Sequence, residues 1–384
     1  MIGKGDIRDC CGCGACKAIC PVAAISMRTD AMGFPYPSVD ETLCIECGKC
    51  VKICDFRRKK EKEDYAGLEL PVFAARNRDA EVLACSQSGG VFTALGNLIP
   101  EEGGAVYGAV SESGGKVAHR RAVTFGERKA FCGSKYIQSD TGDCFSSVRK
   151  DLEDGLEVLF SGTPCQVASL LEYIPEKLQG KLFTVDFICH GVPSPAVWRD
   201  YLDYMSRKGE IVSYSYRDKE AGWSSGDESV TYADGHKVFT EIFRVLYHKN
   251  IMLRPSCGSC PYQLRHRKAD ITISDFWGIE KLLKDFDSSR GVSMVLCNND
   301  KGREYFHRAS RDLYVEQVTV TEAFLRKYNP NLLRPSVLHK DSEAFGKAYS
   351  DKGFRFVARR WGNLGWRYKA WKMKVFFKKI MGIK

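Results

Sequence analysis

Two stretches, CCGCGACKAIC (10–20) and CIECGKCVKIC (44–54), decide how this chain is read. The first sets Cys10, Cys13, Cys16 and Cys20 in the order Cys-x2-Cys-x2-Cys-x3-Cys, and the second repeats that order 34 residues later at Cys44, Cys47, Cys50 and Cys54. Three thiols spaced so closely lie on one tight loop and can grip three corners of one cubane. The fourth cysteine opens the following helical turn and points away from that loop. Between the repeats, ISMRTDAMGFPYPSVD (25–40) reads as two short strands around a turn at Gly33.

In this the segment resembles the bacterial two-cluster ferredoxins. On that pattern Cys10, Cys13, Cys16 and Cys54 hold one 4Fe-4S cluster, and Cys44, Cys47, Cys50 and Cys20 hold the other. Pro21 after Cys20 fits the pattern. Asp55 after Cys54 departs from it, and its negative charge beside one cluster should change potential more than assembly. Structural zinc is the rival, but tetrahedral sites draw on separated Cys-x2-Cys pairs rather than quadruplets in series. Cys11 falls outside both patterns and reads as a packed thiol.

The 384 residues suffice for two or three domains, and 44% apolar with 11% aromatic residues is ordinary for a globular chain. Seventeen cysteines, nine of them before residue 56, favour metal or redox use in a reducing compartment over disulfides. No charged leader precedes an apolar stretch and no run approaches 18 apolar residues, so a cytoplasmic protein is expected. The net charge of +10 is unevenly placed: from Phe354 to Lys384 there are ten Lys or Arg and no acid, which leaves the remainder formally neutral. A nucleic-acid-binding body is therefore not expected. On a helix, Trp371, Val375 and Met381 of the tail share one side while Lys374 and Lys378 lie away from it, a pattern suited to peripheral contact with an anionic membrane or an acidic partner. A frayed basic helix is the equal alternative.

After FRRKKEKEDY (56–65), which reads as a solvated linker or helix start, strand-like runs alternate with helical ones. The strands are VFAA (72–75), AVYGAV (105–110), EVLF (157–160), LFTVDFI (182–188), DITISDF (270–276) and SMVLC (293–297); VASLLEYI (167–174) and AVWRDYLDYM (196–205) read as helices. The alternation predicts an α/β core with parallel strands. In SGTPCQ (161–166), Thr163 and Pro164 are a cap and an N1 proline, and Ser194 and Pro195 repeat the device. Two such strand-to-helix turns open at one sheet edge, where free N–H groups suit a dinucleotide phosphate, although two ordinary capped helices would look the same. In SQSGG (86–90), Ser88, Gly89 and Gly90 form a loop that lets backbone approach a planar ligand. Lys135 and Tyr136 could meet a phosphate and a ring; a surface lysine beside a packed tyrosine is the plainer reading. Asp275 is polar at the end of an apolar strand, and Trp277 reads as core. His190 is the candidate for moving a proton, with a structural hydrogen-bonding role as its rival. No catalytic triad, carboxylate pair or phosphate-binding loop is present, and no catalytic residue is assigned.

Taken together, SQSGGVFTAL (86–95), CGSKYIQSD (132–140), SGTPCQVASL (161–170), CHGVPSP (189–195) and DITISDFWG (270–278) resemble, in order, the beta-subunit family of the coenzyme F-420 hydrogenases and dehydrogenases. The resemblance covers most of residues 70–320. It implies an α/β flavin-binding domain behind an N-terminal α+β dicluster ferredoxin domain, with FAD as cofactor and oxidoreductase activity. The expected partition is 1–56 ferredoxin domain, 57–69 linker, 70–345 flavin domain and 346–384 basic aromatic tail. Ser88, Gly89, Gly90, Lys135, Tyr136, Thr163, His190 and Asp275 would contact the flavin. Cys165, Cys189, Cys257 and Cys260 fall in matching motifs, and a third 4Fe-4S cluster is expected on them; zinc on the same four is the alternative. Cys85, Cys132, Cys144 and Cys297 are expected to be unpaired buried thiols. The redox partner would be a deazaflavin coenzyme, a ferredoxin or an enzyme subunit. Other readings are a non-catalytic relay in a larger complex and a ferredoxin-dependent reductase of glycan biosynthesis.

Overall fold

The computed structural model describes residues 2, 5–58, 61, 63–220, 222–223 and 227–364. Both cysteine repeats wrap a two-stranded hairpin, in which β1 (Ile25–Thr29) and β2 (Pro35–Val39) pair antiparallel with Ile25 opposite Val39. The short helices Ala15–Ala18 and Lys49–Lys52 each follow a left-handed glycine, Gly14 and Gly48, inside the cysteine loops.

The chain then builds one eight-stranded sheet from β3 (Glu69–Asn77), β4 (Gly104–Ser111), β5 (Val117–Ala122), β6 (Glu157–Ser161) and β7 (Leu182–Phe187). After a three-stranded insertion, β8 (Ile211–Ser215), β9 (Glu228–Tyr232) and β10 (Lys237–Thr240), come β11 (Ile271–Asp275), β12 (Ser293–Cys297) and β13 (Leu313–Thr321). The order is β13-β3-β12-β11-β7-β6-β4-β5. The central strands β4, β6, β7 and β11 are parallel, and antiparallel pairs complete both edges. All six runs expected to be strands are strands.

The parallel strands are continuous apolar runs because helices cover both faces. Along β4 and β6 the side chains alternate: Ala105, Tyr107, Val158 and Phe160 pack under Cys144–Glu153 and Pro164–Tyr173, while Val106 and Leu159 pack under Val91–Gly96 and Asp300–Ala309. Within the sheet, Asp270 accepts from both the N–H and the hydroxyl of Thr184 at 2.8 Å, and Asp186 pairs with Arg267 at 3.0 Å. A third core joins the β8–β10 sheet to helices Pro195–Ser206, Ile242–His248 and Ser342–Trp361. The last of these buries Phe345, Tyr349, Phe354, Val357 and Trp361, so residues 346–361 are part of the folded body rather than of a separate tail. Residues 365–384, which carry the helical pattern of the basic stretch, lie outside the described residues. Among the described residues no helix is long and apolar enough to cross a membrane.

The cysteine-rich unit is locked onto this body. Arg254, only 1% exposed, donates to the carbonyls of Cys10 and Pro35 at 2.8 Å each and to Gln138 at 3.0 Å, and lies over the rings of Tyr36 and Phe34. Gln138 and Thr141 donate to the carbonyls of Cys11 and Cys13. Asp55, buried, accepts from Tyr262 at 3.0 Å with Arg58 at 3.3 Å, so the residue that follows Cys54 also links the two units. Ser194 caps its helix as expected, accepting from Val197 N–H at 3.1 Å. Its hydroxyl and the Ala196 N–H both donate to the Met32 carbonyl. That helix start thus receives the hairpin turn, not a phosphate. The turn fits because Gly33 has φ +81°; a Cβ there would lie 2.7 Å from Ala196 N.

Candidate functional site

Cys20, Cys44, Cys47 and Cys50 line one cavity of about 240 Å³ walled by Val22, Ile45 and other apolar side chains. The last cysteine of the first repeat therefore shares a cavity with the first three of the second. Around this outer quartet Val22, Leu43, Ile45 and Val51 are exposed. In the inner quartet, burial pushes the Cys16 thiol up and Cys13, Cys10 and Cys54 add to the effect. Burial also raises Cys54 to about 11, with Cys13 and Cys10 beside it.

Cys165 begins the helix after β6, where Thr163 caps the first turn with Gln166. Cys189 follows β7, and Cys257 and Cys260 sit on the 3-10 turn after Arg254. The four thiols are mutual electrostatic neighbours: Cys189 feels Cys257, Cys165 and Cys260, and Cys260 feels Cys165 and Cys257. Burial lifts Cys257 to about 11 and Cys260 to about 12. Donors already face two sulfurs, Gly191 N–H to Cys189 at 3.3 Å and Val192 N–H to Cys257 at 3.5 Å, and Thr163 Oγ1 lies 3.1 Å from Cys165 Sγ. Cys11 is buried as expected, yet it occupies a position no spacing rule indicates. Its thiol is in hydrogen-bond reach of both Cys13 and Cys165, which holds it protonated and draws Cys13 down to about 6.

A second cavity, about 600 Å³, opens beside this group along the carboxyl ends of β6, β7 and β11. Of the residues expected around a flavin, Ser88, Gly90, Lys135, Tyr136, Thr163, His190 and Asp275 line it, as does Cys189. Gly89 does not line it. Its missing Cβ is demanded by Ala75 O, 2.2 Å from where that atom would stand, so its role is strand packing. Lys135 is no surface lysine: its Nζ donates to Ala130 O at 3.0 Å and Cys132 O at 2.8 Å, and burial lowers it to about 8. Trp277 is not core; it lines the cavity, stacked on Trp223 with ring centres 4.8 Å apart. Asp275 accepts from Arg217 at 2.5 Å and from Trp223 at 3.3 Å. His190 places Nδ1 3.2 Å from Asn331 Oδ1 and Nε2 2.6 Å from Asn250 Oδ1. Both ring nitrogens are thus engaged, which supports its structural reading. Sequence reasoning missed Arg217, Arg244, Tyr216 and Tyr247 on the cavity wall, because they come from just past the end of β8 in the three-stranded insertion and from the helix Ile242–His248 after it.

Two thiol quartets docked on an α/β body define an iron–sulfur protein of electron transfer. Residues 9–57 match the 4Fe-4S dicluster domain, and residues 155–323 match the family described as the C terminus of the coenzyme F-420 hydrogenase/dehydrogenase beta subunit. The chain thus carries a segment similar to that beta-subunit family, with a dicluster domain ahead of it. The B component of the sodium-translocating ferredoxin:NAD oxidoreductase complex of Acetobacterium woodii is 45% identical over 51 residues, 13% of this chain and 14% of that protein. The chain therefore spans about a seventh of that relative. An uncharacterised protein of Methanocaldococcus jannaschii is 24% identical over 350 residues, covering 81% of this chain and 89% of its own. Among solved structures, a chain of the xenon-derivatised F-420-reducing NiFe hydrogenase complex from Methanosarcina barkeri aligns with a TM-score of 0.47 at 18% identity, covering 78% of this chain and 94% of that one.

Proposed function

We propose that the chain is an iron–sulfur flavoprotein oxidoreductase carrying three 4Fe-4S clusters and one FAD, with a reduced deazaflavin, a ferredoxin or an organic substrate as redox partner. The observation that carries this reading is the continuity of its sulfur groups. Cys11 touches the inner quartet through Cys13 and the third group through Cys165, and Cys189 of that group stands on the wall of the larger cavity. When bound, the clusters supply one-electron steps and FAD joins them to two-electron hydride chemistry.

Cys165, Cys189, Cys257 and Cys260 fit a cluster. Burial makes Cys189, Cys257 and Cys260 resist ionisation unless a metal centre neutralises them, Cys165 is already eased by its hydrogen bond with Cys11, and the Gly191 and Val192 N–H groups favour the thiolate form of Cys189 and Cys257. The cavity suits FAD in size and lining: Tyr136, Tyr216 and Trp277 bring aromatic rings to its wall, and Arg244 and Arg217, the latter held by Asp275, bring guanidinium groups. The exposed apolar collar around Cys44–Cys50 suits a protein redox partner, such as a ferredoxin or an enzyme subunit, at the outer end of the series.

Anaerobically purified protein should contain one FAD and about twelve iron atoms per chain. Replacing Cys165 or Cys260 with Ser should remove about four iron atoms and leave the spectra of the two N-terminal clusters in place. Protein that holds no flavin and takes up none, or whose iron never exceeds about eight atoms, would overturn the proposal.

A further inference from the structure

The expectation that Cys85 and Cys132 are unpaired buried thiols fails. Cys85 ends the helix Ala80–Cys85 that leads into the Ser86–Gly90 loop, and it is exposed. Cys132 opens the loop that carries Lys135 and Tyr136, is half-buried, and lines the larger cavity. Their Sγ atoms are 3.4 Å apart, although 47 residues separate them in sequence. Neither belongs to any of the three sulfur groups described above. A disulfide requires about 2.05 Å, so closing the pair takes a movement of roughly 1.4 Å, within reach of a side-chain rotation. The Cys85 thiol also donates to the Val82 carbonyl at 3.3 Å.

We propose that Cys85 and Cys132 are a redox-sensitive thiol pair, modified by low-molecular-weight disulfides to an intramolecular disulfide that staples two loops of the cavity together. Exposed Cys85 reacts first. It loses its proton, its thiolate attacks one sulfur of the reagent, and the other sulfur leaves as a thiolate, giving a mixed disulfide on Cys85. Cys132 then loses its proton and attacks the Cys85 sulfur, and the second reagent half departs. Two protein thiols are oxidised and one reagent disulfide is reduced to two thiols.

The surroundings favour this order. Burial, with the hydrogen bond to Cys85, holds Cys132 up at about 11, so it waits as the resolving thiol, while Thr93 and the Lys135 ammonium beside it ease its ionisation once Cys85 is derivatised. The Lys219 ammonium, fixed on the carbonyls of Leu83 and Arg290, lies in electrostatic reach of Cys85. A cationic neighbour beside a partly exposed thiol is the usual setting of a reactive cysteine. The link would bind Ser86–Gly90 to Gly133–Tyr136, two loops that share the cavity wall; given FAD there, which rests on the proposed function, its exchange would slow.

The test treats the anaerobic full-length protein with oxidised glutathione and maps its peptides without reduction. The pair predicts a Cys85–Cys132 cross-linked peptide and two fewer alkylatable thiols, with iron content unchanged. Cys132→Ser protein should stop at a glutathione adduct on Cys85, and Cys85→Ser protein should form no link. Persistent alkylation of both thiols, or a stable adduct on Cys85 in the intact chain, would overturn the pair. FAD that exchanges equally fast before and after linkage would overturn the staple, whereas protein that binds no FAD strikes the functional reading and leaves the thiol chemistry standing.

Discussion

Replacing Arg254 with Met should lower the reduction potential of the inner cluster and leave the outer one nearly unchanged. The guanidinium is buried, its Nη2 lies 3.9 Å from Cys10 Sγ, and its other partners are the neutral oxygens of Cys10, Pro35 and Gln138. Among the described residues no carboxylate pairs with it. A buried cation without a counter-ion is costly, so the thiolates it faces must balance it. At about 4 Å and an effective dielectric near 20, a unit pair interacts by roughly 4 kcal/mol. The electron added on reduction spreads over a cubane, which about halves the figure to ~2 kcal/mol, or roughly 90 mV for one electron. Removing the cation destabilises the more negative, reduced state, so the potential moves down. The assay is a potentiometric titration followed by electron paramagnetic resonance, with the outer cluster as internal reference. Arg254→Lys keeps the charge and loses the fork, and should stay much closer to the parent protein. An inner potential in Arg254→Met within roughly 20 mV of the parent, at full iron content, would refute the reasoning.

Two other outcomes follow from the fold. Gly33→Ala should destabilise the docked hairpin by at least ~2 kcal/mol, because a left-handed backbone and a Cβ 2.7 Å from Ala196 N act together; Gly48→Ala, with φ +70° and open space around it, carries only the first effect and should lose less in thermal unfolding. His119 is buried neutral, stacked on Phe160 with Nε2 on Ser161 O, and burial lowers it from 6.5 to about 4. Above pH 6.5 it is neutral folded or unfolded and contributes nothing to pH dependence. As pH falls from 6.5 towards 4 only the unfolded chain takes the proton, so stability should drop by up to roughly 3 kcal/mol, and denaturant unfolding of His119→Gln should show a shallower loss across that window.

The cysteine repeats were legible because spacing puts three thiols of each on one loop, while the cross-over of the fourth was implied by the resemblance to two-cluster ferredoxins. The central strands were legible too, since Val158–Phe160 and Leu182–Asp186 are buried on both faces and read as unbroken apolar-rich runs. The insertion was not read, although TYADGHKV (231–238) carries an Asp-Gly turn at Asp234–Gly235 between the antiparallel partners β9 and β10. Positions decided by docking stayed out of reach. The Ser194 helix start looks like any anion site until the Met32 carbonyl is found on it, and Trp277 looks like core until its ring is seen facing a cavity. Arg254 gave one faint signal, a lone cation three residues before a Cys-x2-Cys pair.

The Met32 carbonyl on the Ser194–Ala196 helix start has a kinetic consequence. With Arg254 and the Asp55–Tyr262 contact, it leaves the cysteine-rich unit no freedom to swing on the 57–69 segment. A tethered carrier that shuttles between stations slows as the medium thickens, because diffusion of the arm limits its turnover. Here the separation between the inner thiols and the cavity is set at folding and does not depend on the length of the connecting chain. Internal electron exchange should therefore be indifferent to added sucrose or glycerol, and lengthening the 57–69 connection should leave its rate unchanged.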